Sequence, residues 1–102
     1  MADFQVMDKE HLTIFSARVS HHTMNCLYDF LEQFEPEHYS LGTNGYQLDI
    51  HKLKKEVLKI TLGNPVNICN SASQCTREEV LNDLLSVLSS RESGTYYIYY
   101  GA

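Results

Sequence analysis

Three cysteines and five histidines are the residues of this chain best equipped for chemistry, and their spacing argues against most of it. Cys75 stands just before a predicted helix start, where the positive end of the helix dipole stabilises a thiolate. A phosphate-gripping loop built on that thiolate needs an arginine at the far side of the loop. Here Arg77 follows after a single intervening residue, which is too close. Cys69 and Cys75 are separated by five residues, wider than the pair spacing of structural zinc sites. His21 and His22 are adjacent, so on a helix they point about 100° apart, and His11, His38 and His51 fall in different predicted elements. Neither a metal nor another cofactor is expected. Cys26 reads as a small apolar filler on the flank of a helix. An odd number of thiols does not suggest a disulfide framework, so the cysteines are expected to be reduced and the protein cytoplasmic.

The carboxylates give no better case for catalysis. Asp29 and Glu32 lie three positions apart on a predicted exposed helix face, where carboxyl groups are not tuned for acid–base work. The glycine-rich phosphate cradles and the G-x-S-x-G nucleophile elbow are missing from the sequence. The chain reads as a non-enzyme.

What remains is a surface of tyrosine and acid. Four of the seven tyrosines fall within residues 96–100, and aromatic runs of this kind favour strands. Period-two alternation places Tyr96, Ile98 and Tyr100 on one face and Tyr97 and Tyr99 on the other. Tyrosine combines contact area with a polar tip and is enriched at interfaces. The net charge is −5, and it is unevenly spread: residues 1–51 hold eight acids and two bases, residues 52–102 five acids and six bases. Between Arg18 and Lys52 there is no lysine or arginine, while the opposite sign gathers at Lys52, Lys54, Lys55 and Lys59. An acidic balance speaks against direct nucleic-acid binding through phosphates, and an acidic patch steers a basic partner. The expected partner-binding residues are Asp29, Glu32, Glu35, Glu37, Tyr39, Tyr46, Tyr97 and Tyr99. Their chemistry suits occlusion of a basic cleft, as an inhibitor or immunity protein covers a toxin nuclease, or as a viral or mobile-element protein antagonises a host nuclease. A homodimeric structural or regulatory domain, joined through a sheet edge or the tyrosine face, is the alternative.

The elements that must position these residues follow from periodicity and caps. Phe4–Met7 and Leu12–Val19 alternate as strands and can form a hairpin across residues 8–11, the second reading as a central strand. Ser20 can cap a helix over 21–34, whose Met24, Leu27, Tyr28, Leu31 and Phe34 form one stripe, with Glu35-Pro36 ending it. Asn44-Gly45 predicts a turn into a strand at 46–50. Residues 51–62 fit both a helix capped by Asp49 and a strand; the strand at 56–62 is preferred because Gly63-Asn64-Pro65 then closes it. Val66–Cys69 reads as a brief extended piece and residues 70–74 as a loop. Thr76 and Glu79 match a capping box before a wide apolar helical face reaching about residue 90.

At 102 residues and 43% hydrophobic content, this is one domain able to bury a core. No run approaches the roughly 20 apolar residues of a membrane span, and Met1–Val6 lacks the pattern of a secretory signal. The expected class is α+β: an antiparallel sheet of four to five strands with two amphipathic helices on one face. The predicted strand–helix–strand–strand–helix–strand order is compatible with a ferredoxin-like, split βαβ arrangement.

Overall fold

A computed structural model describes residues 2–38, 43–63 and 76–101. Their order is β1 (Ala2–Met7), β2 (Thr13–Val19), α1 (His21–Leu31), β3 (Glu37–His38), β4 (Thr43–Leu48), α2 (Ile50–Gly63), α3 (Arg77–Leu88) and β5 (Gly94–Gly101), with a 3₁₀ turn at Glu32–Phe34. The strands form one sheet in the order β2-β1-β5-β4-β3, and every pair is antiparallel. The α+β class is therefore as expected, with three α-helices rather than two among the described residues.

Helix ends are set locally. The Ser20 hydroxyl accepts the Thr23 amide at 3.1 Å to start α1, and Glu35, in a left-handed conformation at φ 51°, ends the 3₁₀ turn ahead of Pro36. Thr76 and Glu79 form the expected capping box: Thr76 Oγ1 accepts the Glu79 amide at 3.2 Å, and Glu79 Oε1 accepts the Thr76 amide at 3.3 Å. The turn between β1 and β2 falls where the hairpin was expected. Asp8 Oδ1 accepts the amides of Glu10 and Leu12 there.

Three expectations are corrected. Residues 56–62 are helix, because Asp49 caps α2 by accepting the amides of His51 and Lys52 at 2.9 and 3.3 Å. Leu53 and Val57 are buried while Leu58 is 48% exposed; the core takes the helical stripe and leaves out the residue that an alternating strand would have turned inward with Ile60. The element order on which the ferredoxin-like expectation rested is therefore not the observed one. Asn44-Gly45 is not a turn but part of β4, paired with His38 and Glu37 on one side and with Ile98 and Tyr97 on the other. Pairing on both sides outweighs the local turn preference of these two residues. Finally, β2 is an edge strand rather than a central one. Of the apolar residues that suggested two buried faces, Val19 is buried, Ile14, Phe15 and Ala17 are half-buried against the core, and Leu12 just ahead of β2 is 60% exposed.

The register explains where the core lies. Phe4 sits opposite Ala17 and Tyr100, Val6 opposite Phe15 and Ile98, and Tyr46 opposite Tyr96. These rows share one face, and from it Phe4, Val6, Tyr46, Tyr96 and Ile98 join a single cluster. Leu27 and Leu31 of α1, Leu53 and Val57 of α2, and Leu81, Leu84 and Leu88 of α3 complete that cluster. The helices thus cover one face of the sheet, each buried side chain contributing about 1.5–3 kcal/mol. Val66–Cys69 and the loop at 70–74 lie outside the described residues.

Candidate functional site: the uncovered face of the sheet

Opposite the helices, on the face that no helix among the described residues covers, the alternate residues of each strand form a second set of rows. Tyr97 lies between Met7 of β1 and Gly45 of β4, and Gly45 in turn lies opposite Glu37 of β3. Tyr99 lies between Gln5 and Thr43, and Thr95 opposite Gln47. Because Gly45 has no side chain, nothing projects from the strand between Tyr97 and Glu37, whose backbones are two strand spacings or about 9.6 Å apart. Tyr97 and Tyr99 are half-buried and Glu37 is exposed.

Two features stiffen this face. The His11 ring stacks on Tyr97, with centroids 4.2 Å apart and planes at 18°. His11 reaches that position from the hairpin turn with a left-handed backbone at φ 63°, held by its amide donating to the Asp8 carbonyl at 2.9 Å. Thr95 donates its hydroxyl to Gln47 Oε1 at 2.5 Å across β4 and β5. At the other side of the face, Arg18 and Asp3 are 3.8 Å apart and largely exposed, a pair worth little in stability.

The acidic segment meets this face at the β3 side. Glu35, Glu37, Gly45, Tyr46, Gln47 and Thr95 line a small cleft of about 90 Å³. A hollow of about 320 Å³ bounded by Gln33, Phe34, Glu35, Gln47, Asp49 and Lys52 adjoins it. Lys52 places its ammonium 5.4 Å from the centre of the Phe34 ring. The stretch that is free of lysine and arginine in sequence is therefore not free of them in space: α2 returns one cation to its border.

The expected binding residues are not all brought together. Glu37, Tyr97 and Tyr99 share the uncovered face, and Glu35 borders it. Asp29 and Glu32 are exposed on α1 and the 3₁₀ turn, in the helix layer. Tyr46 is a correction: it is fully buried, because its position in β4 turns it toward the helices opposite Tyr96. Burial pushes its phenol pKa above 10.0, a hydrogen bond from Asn44 partly offsets this, and Glu32 adds to the rise. Tyr39 lies outside the described residues. His11, Met7 and Gln5 escaped the sequence reading; the hairpin expected at 8–11 was the available signal for His11, since it predicted a turn beside whatever strand neighbours β1.

The cysteine expectation also changes. Cys26 is buried and disulfide-bonded, so it is not a reduced filler. The expectations for Cys69 and Cys75 fall outside the described residues. Among the described residues, no group of three or more His, Cys, Asp or Glu is arranged to hold a metal. No helix among them is long and apolar enough to cross a membrane. Comparison with protein-family models, curated proteins and solved structures found no match.

Proposed function

We propose that this chain is a small acidic protein-binding module, acting without catalysis as an inhibitor or immunity protein that covers the active site of a basic partner such as a toxin nuclease. The observation that supports the reading is the placement of half-exposed Tyr97 and Tyr99 on the uncovered sheet face, in rows that also carry Glu37. Phenol rings offer rigid contact area and an electron-rich face for a lysine or arginine of the partner. Carboxylates beside them, on a chain of net charge −5, draw that partner in and reject acidic ones.

The test is affinity capture on the immobilised full chain in parallel with a Tyr97→Ala/Glu37→Lys variant. A basic protein held by the parent and lost from the variant, with an association rate that falls as salt rises, is the expected result. Capture of the same proteins by both, or of acidic proteins only, overturns the reading.

A further inference from the structure

The two edges of the sheet are built differently. β3 is two residues long and follows Pro36 directly, the kind of short, proline-flanked edge that discourages pairing. β2 is seven residues long, Thr-Ile-Phe-Ser-Ala-Arg-Val, with no proline, no lysine and no glycine. Its only charge, Arg18, is matched by Asp3 on β1 instead of standing guard. Among the described residues β2 pairs with β1 alone.

Burial points the same way. On the helix-covered face of β1, Ala2, Phe4 and Val6 are all buried. On the same face of β2, Val19 is buried, but Phe15 and Ala17 stay half-buried although they pack against the core cluster. Ile14, on the opposite face of the strand, is also only half-buried, so each face of the outer edge carries apolar surface that one more strand would cover.

We infer that β2 is a self-association edge, pairing antiparallel with β2 of a second copy to give one continuous sheet through a two-fold axis. The occupant is a second copy because the strand is self-complementary. With the axis at Ser16, Phe15 of one copy faces Ala17 of the other, Ile14 faces Arg18, and both sheet faces continue without inversion. Charge agrees: the edge is locally neutral, and the acidic segment at Glu35 and Glu37 lies by β3, about 19 Å or four strand spacings away, so two chains of net charge −5 can meet there. An interface this small is reversible and concentration-dependent. It leaves the tyrosine face open and is independent of the partner proposed above.

Sedimentation equilibrium of the full chain across a dilution series tests this. The expected result is a twofold fall in mass from dimer to monomer on dilution. Ser16→Lys, an exposed position where two ammonium groups would meet on the axis, should give the monomer mass throughout, with an unchanged circular dichroism spectrum. Ser16→Cys should form a covalent dimer on oxidation that the parent does not. A monomer mass at the highest concentrations used for NMR overturns the inference. So does a dimer that survives Ser16→Lys, or one lost only on Tyr97→Ala/Glu37→Lys.

Discussion

Along β5, Tyr96 and Ile98 are 6% and 0% exposed beneath the helices, whereas Tyr97 and Tyr99 remain half-exposed on the other side of the same strand. The chemistry of the residues is nearly the same; only the phase differs. On the covered face a tyrosine is a packing element whose hydroxyl must be satisfied, as Tyr96 does by donating to the Glu92 carbonyl at 2.6 Å. On the other face Tyr97 stacks against His11, and both Tyr97 and Tyr99 keep part of their surface open to solvent. The contrast shows that a tyrosine-rich strand is neither buried nor exposed as a whole, but both at once, divided by the pleat.

The most forceful way to break this contrast is to truncate each side. Ile98→Ala and Tyr96→Ala should each cost about 2–5 kcal/mol in denaturant unfolding, from lost burial plus a cavity. Tyr97→Ala and Tyr99→Ala should cost under about 1 kcal/mol while removing partner binding. Equal losses on both sides would show that the second face is covered too.

Next in size is the covalent tie on the helix layer. Peptide mapping after alkylation without reductant should leave Cys26 unlabelled, and reduction should lower stability by about 2–4 kcal/mol. Labelling of Cys26 in the native, unreduced protein would remove that tie from the account of the covered face.

Alkaline titration sharpens the contrast optically. Burial raises the phenol pKa of Tyr46 and of Tyr96, with Arg91 lowering the latter and Asp8 and Glu92 raising it. Both groups hold their protons more tightly folded than unfolded. Stability is therefore full below pH 10.0, the ordinary phenol value, and is lost as pH climbs from there toward the raised folded values. Phenolate absorbance at these two residues should develop at higher pH in the folded than in the unfolded chain, and Tyr46→Phe with Tyr96→Phe should reduce that difference; titration curves that coincide folded and unfolded would contradict their burial.

The smallest effect concerns the helices that make the covered face. Thr76→Ala should cost about 1 kcal/mol through loss of the α3 cap, and Tyr97 binding should be untouched. A matching loss of partner binding would tie the two faces together.

The parts of this fold that could be read in advance are those encoded within a turn or two of chain. Ser20, Asp49 and the Thr76–Glu79 box each satisfy amides no more than three positions away, so their roles are visible to local inspection. α2 was ambiguous because Leu58, Ile60 and Leu62 alternate while Ile50, Leu53, Val57 and Ile60 recur helically. The capped N-terminus and the core-facing stripe decide between them. β2 was misplaced because its apolar content says nothing about which strand stops beside it. The candidate site was half legible: Tyr97, Tyr99 and Glu37 were named, but their convergence depends on β5 pairing with β4, and β4 with β3. Tyr46 was misassigned because its phase against the helices is not a property of its neighbours in sequence.

By itself, the order of residues determined the helix caps, the charge asymmetry and the division of the terminal strand into two alternating sets, since each follows from the geometry of a few adjacent peptides. Only the tertiary structure decided which set is buried, that β1 and β5 from opposite ends of the chain lie side by side, and that Lys52 returns to the acidic border. Those outcomes depend on where three helices settle on one sheet face, and that settlement is governed by the burial of apolar side chains drawn from the whole chain at once.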